Sequence, residues 1–251
     1  NVTRLCETGI TIPMPVEKKC RPKTPFSFQR FLIPALSGYK GKAIYLDADM
    51  LVFSDICELW NTDMCGNDIL YVAQSDVKTK PQFSVMLMNT ENLIWDINLI
   101  VENLNKKVFT YDELMYDFAI AKNTEASLDQ HWNSLERFST ETKLLHYTNM
   151  HTQPWVSLGN SYRKIWINEL LSAINNGFIS TSDVAREIKK GNVRPSLMLE
   201  ISNLSNGIPA PKDSELEKLD ANFIAPFRLL TQNTFRKYYI KAKIVLRSIL
   251  K

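Results

Sequence analysis

Two aspartates separated by one alanine are the residues of this sequence that most directly suggest chemistry. Asp47 and Asp49 follow the apolar run 44–46. Alternate side chains of an extended strand share a face, so we expect both carboxylates to point the same way. Two neighbouring carboxylates repel each other, and the pair becomes stable with a shared proton or a bound cation. The segment therefore predicts a divalent-cation site at the end of a buried strand, the alternative being an acidic pair in a surface turn.

His146 is the candidate for a third ligand. It follows two leucines, as a residue at the end of an apolar strand would. A lone histidine of this kind can equally be a buried structural residue. Together with Asp47 and Asp49, however, it would complete a set of two hard carboxylates and one imidazole, which suits Mn²⁺ better than zinc. The sequence thus predicts a Mn²⁺ site, with Mg²⁺ as the other candidate.

Short apolar runs alternate with helical patterns along the chain, which is typical of a layered α/β sheet flanked by helices. Strands are predicted at 43–47, 69–73 and 84–88. Helices are predicted after Thr24-Pro25 and at 54–60 (with Ser54 as cap), 89–107, 111–122 and across 155–190. Residues 195–222 are rich in Pro, Asn, Ser and Gly and are interpreted as a linker before a final helix in 231–250.

The composition restricts the function classes. The net charge is +3, which by itself does not indicate a polyanionic partner, and no nucleic-acid-binding motif is present. No apolar run approaches the roughly 18–20 residues needed to cross a bilayer. With 251 residues the chain can form one or two domains.

Five stretches, in order, resemble the glycosyltransferases of family 8, the retaining group that includes glycogenin and bacterial lipopolysaccharide galactosyl- and glucosyltransferases. They are "FQRFLIPAL" (28–36), "YLDADMLVFSDICELW" (45–60), "FSVMLMN" (83–89), "WNSLERF" (132–138) and "HYTNMHTQPW" (146–155). The resemblance implies a Rossmann-like GT-A fold with a mixed sheet, and a hexosyltransferase that uses a UDP-sugar donor and a saccharide or glycolipid acceptor.

The resemblance also implies roles for individual residues. The metal would be held by Asp47, Asp49 and His146. The donor would be bound by Arg30, the Asp47-Ala48-Asp49 segment and Gln153, although Arg30 could instead form a surface salt bridge. Gln153 stands where the family has a lysine, so one cationic contact to the diphosphate is missing.

An acidic pair beside the reacting sugar carbon is a further element of the family. Asp112 and Glu113 have the expected position and a helix behind them, and we assign the catalytic role to them. Asp129 and Gln130 have the expected letters but lie too close to Asn133, and are interpreted as an ordinary loop.

Two alternatives to an active transferase remain. The family's first strand and helix have no counterpart before residue 24, so the chain is either a fragment or a non-catalytic module that has lost donor binding. An aspartate-dependent phosphatase is the other alternative, although the residues after Asp49 do not follow that pattern.

The expected organisation has three parts: an irregular segment 1–23, a partial GT-A domain 24–194, and a linker with a basic C-terminal helix in 195–251. From 221 to 251 there are seven Lys or Arg and no acidic residue. This helix either packs on the core or contacts anionic lipid through 231–251. The expected location is cytoplasmic, at the inner face of the membrane where that contact forms.

Overall fold

The computed structural model describes residues 2–22, 24, 26–73, 81 and 83–230. The chain forms two compact units, Asn1–His146 and Tyr147–Lys251. The predicted transferase domain, 24–194, extends across this division, and its bounds remain a prediction. The predicted helix in 231–250 lies outside the described residues.

The strands of the described residues all lie in the first unit. They are β1 (Lys42–Leu46), β2 (Met50–Val52), β3 (Ile69–Val72), β4 (Val85–Asn89), β5 (Thr124–Leu128), β6 (Ser134–Leu135) and β7 (Leu144–His146). One sheet has the order β1-β4-β3-β5, with β4 antiparallel to both neighbours and β5 parallel to β3. The other has the order β2-β7-β6, with β2 antiparallel and β6 parallel to β7.

Helices occur in both units. Within the described residues they are α1 (Ile33–Leu36), α2 (Ile56–Trp60), α3 (Ile97–Asn105) and α4 (Tyr111–Tyr116) in the first unit, and α5 (Arg163–Asn175), α6 (Thr181–Lys190), α7 (Leu197–Ser205), α8 (Asp213–Asp220) and α9 (Pro226–Leu230) in the second. The predicted α/β architecture with mixed sheets and flanking helices is confirmed. None of the helices described here combines the length and apolarity that a membrane span requires.

β4 is the most buried strand of the four-stranded sheet, because it lies between β1 and β3 and has its first four residues inaccessible to solvent. The sequence predicted that β1 would be a buried strand, and this is wrong. All five residues of β1 are only half-buried, since among the described strands β1 lies at the edge of its sheet.

An aromatic cluster fixes the segment before α1. The rings of Phe28, Trp95 and Phe118 each have their centroid 5.7–5.8 Å from that of Phe31. Phe28 and Phe31 are fully buried and lie on either side of Arg30 in the sequence. Burying two such side chains contributes several kcal/mol, on the order of 2 to 3 for each. The position of Arg30 is therefore set by hydrophobic packing.

The predicted helix behind Thr24-Pro25 is largely replaced by a 3₁₀ turn, Gln29–Leu32, followed by the single turn of α1. Pro34 explains this, because a proline has no N–H to complete an α-helical hydrogen bond with the preceding turn.

Three other helices of the first unit begin or end at residues that the sequence analysis did not assign. Asp55, not Ser54, caps α2, and its carboxylate accepts a hydrogen bond from the Cys57 N–H at 2.9 Å. Asp96 caps α3, which begins at 97 and not at 89. α4 ends at 116 because Phe118 takes a left-handed φ of 51° that places its ring in the core.

Residues 195–222 are not a linker, as their turn-forming composition had suggested. They contain α7 and α8, and Leu197, Ile201 and Leu216 are buried there. The apolar residues of this stretch are spaced for packing, and that tertiary contact outweighs the weak intrinsic helix preference of its Ser and Asn residues.

A buried ion pair organises the second unit. The Arg194 side chain is fully buried and its guanidinium contacts the carboxylate of Glu200, which is also buried. The same guanidinium donates a hydrogen bond to the Pro154 carbonyl at 2.9 Å, and the Arg194 N–H donates to the Trp155 carbonyl at 2.9 Å. Arg194 thus connects α7 to the 154–155 backbone.

Replacing Glu200 with alanine is expected to destabilise the second unit by about 3–5 kcal/mol, because it leaves a buried guanidinium without its carboxylate. Hydrogen exchange in peptides that cover α7 measures this free energy of unfolding. Glu187→Ala in α6, which removes an exposed pair with Lys190, is the matched control and should change it by less than about 1 kcal/mol. Equal effects of the two substitutions would contradict the prediction.

Candidate metal centre

Asp47, Ala48 and Asp49 form the connection between the two sheets. β1 ends at Leu46 and β2 begins at Met50. The Asp47 N–H donates to the Ser84 carbonyl at 3.1 Å, which extends the β1–β4 pairing by one step. The predicted strand alternation through 47–49 is therefore wrong in detail. The two carboxylates are brought together by a bend between sheets.

The pairing of β2 with β7 places His146 at this bend. His146 is the last residue of β7 and pairs with Met50, the residue that follows Asp49. His146 is only 3% exposed to solvent, and its Nε2 lies 3.1 Å from Oδ1 of Asp49. The register of two short strands thus brings together residues almost a hundred positions apart in the sequence.

The three predicted ligands form one cluster. Asp47, Asp49 and His146 each offer a ligand atom, and these atoms all lie within 4.8 Å of one another. The two carboxylates are partly exposed, with about a quarter of each side chain accessible (26%). Two hard oxygen donors and one imidazole fit a divalent cation such as Mn²⁺, and the partial exposure gives a ligand access to it.

Asn133 is a residue of this site that the sequence analysis did not assign. Its side-chain Oδ1 lies 2.9 Å from Nδ1 of His146. An amide oxygen only accepts, so this contact uses the Nδ1 side of the ring and leaves Nε2 as the ring nitrogen that faces the carboxylates. Hydrogen-bond partners of this kind orient metal-ligating histidines. The place of Asn133 in the "WN" element was the sequence signal that could have identified it.

Arg30 and Tyr45 hold Asp47. The Tyr45 hydroxyl donates to Oδ1 of Asp47 at 2.5 Å, and Nη2 of Arg30 lies 3.8 Å from the same oxygen. The Arg30 guanidinium also lies over the Tyr45 ring, 4.9 Å from its centroid, and donates to the Phe83 carbonyl at 3.4 Å. Arg30 is 7% exposed, so the alternative that it forms a surface salt bridge is wrong. Its predicted contact with a donor remains a prediction.

Burial raises the pKa of the Tyr45 hydroxyl well above its ordinary value, and the neighbouring Asp47 carboxylate raises it further against the opposing effect of Arg30. The hydroxyl therefore remains protonated and acts as a hydrogen-bond donor to Asp47 at neutral pH.

Asp112 and Glu113 occupy the exposed first turn of α4. The Glu113 carboxylate accepts a hydrogen bond from the Thr110 N–H at 2.6 Å, while the Thr110 hydroxyl accepts from the Glu113 N–H at 3.2 Å. This capping box lowers the pKa of Glu113 through the backbone hydrogen bond. The catalytic role assigned to the pair stays a prediction, and Glu113 already has a structural one.

Asp129 begins the 3₁₀ turn Gln130–Asn133, in which its carboxylate accepts from the His131 N–H at 3.0 Å. Gln153 lies in the second unit, where its buried side-chain amide donates to the Tyr147 carbonyl at 2.8 Å. The predicted donor contact of Gln153 remains a prediction.

Comparison with known proteins assigns the segment that carries Arg30 and both aspartates. Residues 15–108 match the model of glycosyl transferase family 8. Over this segment the chain is similar to family 8. His146 and Asn133 lie beyond the matched segment, and the strand register places His146 beside the two aspartates within it.

The individual proteins that the chain resembles have low sequence identity to it. The chain is 26% identical over 174 residues to Protein CDI of Arabidopsis thaliana, covering 59% of this chain and 64% of that protein. Glycosyltransferase GlyE of Streptococcus pneumoniae TIGR4 has 20% identity and a TM-score of 0.42, covering 58% of this chain and 43% of that one. Galactosyltransferase LgtC, in complex with donor and acceptor sugar analogs, has 16% identity and a TM-score of 0.39, and the match covers 55% of this chain and 65% of that one. The chain thus spans less than two-thirds of these relatives.

Asn133→Ala is expected to weaken Mn²⁺ binding about 10–100-fold, because the imidazole of His146 loses the hydrogen-bond partner that holds its orientation. Titration of Mn²⁺ followed by the electron paramagnetic resonance signal of the free ion measures this affinity.

Two further variants separate a local effect from a loss of fold. Asn133→Asp keeps an acceptor at the same place and should retain most of the affinity. Asn98→Ala, at an exposed position in α3, should bind as the unmodified chain does. Unchanged Mn²⁺ affinity in Asn133→Ala would show that Asn133 does not position His146.

Proposed function

We propose that this protein is a metal-dependent, retaining hexosyltransferase with a GT-A-type fold, which transfers a sugar from a UDP-sugar to a saccharide or lipid-linked saccharide. The observation that supports it most is the cluster of Asp47, Asp49 and His146, of which both aspartates lie in the family 8 segment. The relatives named as glycosyltransferases are in accord with this class of reaction.

The proposed mechanism assigns a binding role to the cluster. Asp47, Asp49 and His146 would hold Mn²⁺, or Mg²⁺, and a bound divalent cation neutralises the charge that grows on a departing nucleotide diphosphate. Ala48 between the aspartates would place backbone close to the donor. Arg30 would fix the Asp47 carboxylate and add positive charge on the donor side.

Of the two acidic residues proposed beside the reacting sugar, Asp112 is the better candidate, since the Glu113 carboxylate serves as a helix cap. The departing UDP would accept the proton of the acceptor hydroxyl. The roles of Asp112 and Glu113 are proposed from the resemblance to family 8 and from the position of both residues in the first turn of α4.

The acceptor and the location are proposed from sequence alone. A growing cell-surface glycan of the lipopolysaccharide type, handled at the cytoplasmic face of the membrane, would suit the basic segment 231–251. The absence of a recognised nucleic-acid motif leaves a saccharide as the expected partner.

A non-catalytic module is the second candidate, and one observation favours it. Gln153 replaces the family lysine, and its amide is bonded to the Tyr147 carbonyl. A phosphatase is less well supported, because His146 beside the aspartate pair would complete a three-ligand cation site. A phosphatase would instead use Asp47 as nucleophile, and labelled phosphate on Asp47 would support it.

Calorimetric titration of UDP into the 251-residue chain, with and without Mn²⁺, tests the proposal. Binding is expected to require Mn²⁺ and to be abolished by Asp49→Ala, which removes one of the two carboxylate ligands. Turnover is then measured as release of UDP from UDP-sugars.

Asp117→Ala serves as the matched control, because this aspartate is exposed and lies at the end of α4. It should leave the Mn²⁺-dependent binding of UDP unchanged. UDP binding that persists in Asp49→Ala would contradict the metal site. A folded chain that binds no UDP would instead support the non-catalytic module.

A further inference from the structure

A groove lies in the first unit beside β2 and β7. Its volume is about 600 Å³, within the range of about 300–1,000 Å³ typical of small-molecule sites. It is lined by Phe53, Ser54, His131, Phe138, Ser139, Thr140, Glu141, Thr142 and Lys143.

The groove and the metal centre lie at opposite ends of the β2–β7 pair. The centre is at the Met50–His146 pairing, and the groove follows the Val52–Leu144 pairing, where the Phe53 N–H donates to the Lys143 carbonyl at 2.8 Å. At about 3.3 Å per residue, Phe53 lies roughly 13 Å along the strand from Asp49. The groove is therefore a separate site in the same sheet.

Two phenylalanines supply an apolar surface in the groove. The rings of Phe53 and Phe138 pack edge to face, with centroids 5.0 Å apart and planes at 64°. Phe138 keeps 38% of its surface exposed. The negative face of an aromatic ring attracts groups that carry partial positive charge, and the C–H groups on one face of a sugar ring are both apolar and of this kind.

The charges in and around the groove disfavour an anion. Nζ of Lys143 lies 3.0 Å from Oε2 of Glu58 and 3.1 Å from Oδ2 of Asp129. His131 lies between Asp129 and Glu141, with contacts of 3.0 and 3.4 Å. Of these side chains, Glu141, His131 and Lys143 line the groove, and both basic groups already contact carboxylates. A phosphate would have to compete with those carboxylates, whereas neutral hydroxyl groups can donate to carboxylate oxygens.

The wall formed by residues 139–142 is already ordered. The Ser139 N–H donates to Oγ1 of Thr142 at 2.9 Å, and the Glu141 N–H donates to Oγ of Ser139 at 3.2 Å. The Lys143 N–H donates to the His131 carbonyl at 3.0 Å, which ties this wall to the 3₁₀ turn. A preformed site loses little conformational entropy on binding.

We infer that this groove binds a neutral oligosaccharide, which stacks on Phe138 and hydrogen-bonds to Glu141 and to the hydroxyls of Ser54, Ser139 and Thr140. That the groove holds a distal part of the acceptor depends on the proposed function, but the binding of an oligosaccharide in the groove does not. The aromatic face, the hydroxyl groups and the pairing of both basic groups with carboxylates together favour this ligand over a phosphorylated one.

Saturation-transfer NMR on the full chain, with lactose, maltotriose, cellotriose and mannotriose as probes, tests the inference. At least one is expected to bind with a dissociation constant on the order of 1 mM. Phe138→Ala and Glu141→Ala should each weaken that binding about tenfold, equivalent to about 1.4 kcal/mol. The Glu141 side chain is 75% exposed, so its variant should fold even where Phe138→Ala does not.

Phe178→Ala is the matched control, because Phe178 is 84% exposed in the second unit. It should leave oligosaccharide binding unchanged. No binding of any of the four probes at about 10 mM would overturn the inference, and so would binding that neither groove variant weakens. Titration with UDP in the absence of a metal ion tests for binding of a phosphate-bearing ligand. Broadening of the Phe138 resonances by UDP would overturn the preference for a neutral ligand.

Asp49→Ala separates this inference from the proposed function. Oligosaccharide binding that persists in Asp49→Ala, in a chain that shows no Mn²⁺-dependent UDP binding, would support the groove while the proposed function fails. Loss of oligosaccharide binding in a folded Asp49→Ala variant would show that the sugar binds at the metal centre, and would overturn the groove.

Discussion

The repulsion between Asp47 and Asp49 is the constraint on which the described site depends. Two charges within 4.8 Å repel by on the order of 3 kcal/mol at an effective dielectric constant of about 20. Tyr45 and Arg30 both contact Oδ1 of Asp47, and Asp49 contacts His146. A divalent cation held by the three side chains would offset the repulsion between the two carboxylates directly.

The geometry of the aspartate pair and His146 depends on the pairing of β2 with β7. β7 supplies His146, and its N-terminal neighbour Lys143 is bonded to Phe53 and to His131. A shift of one residue in this register would turn the His146 side chain to the opposite face of the sheet. The short strands therefore matter chiefly because they position His146. Leu144 and Leu145 are both fully buried, and their packing holds the register.

Residue types and their place at strand ends were enough to predict the three candidate ligands, because each follows an apolar run. The means by which they meet could not be predicted. β6 and β7 have two and three residues, too few for a periodicity to show. Asn133 was missed for the same reason, since its contact with His146 depends on the pairing of those strands. The buried helices in 195–222 were hidden by composition, because packing decides helix formation in stretches of weak propensity.

The resemblance to family 8 implies a lysine at the position of Gln153, so the site would carry one positive charge fewer. The residue is 7% exposed, and its amide satisfies the Tyr147 carbonyl within the second unit. A lysine in such a buried place would carry a charge that needs an anion beside it. Glutamine makes the loop stable without a ligand, since its hydrogen bond is internal. If the chain binds a diphosphate, the positive charge for it would then come from the cation of the Asp47–Asp49–His146 cluster and from Arg30, so that binding should depend on the metal more strongly than in a protein that keeps the lysine.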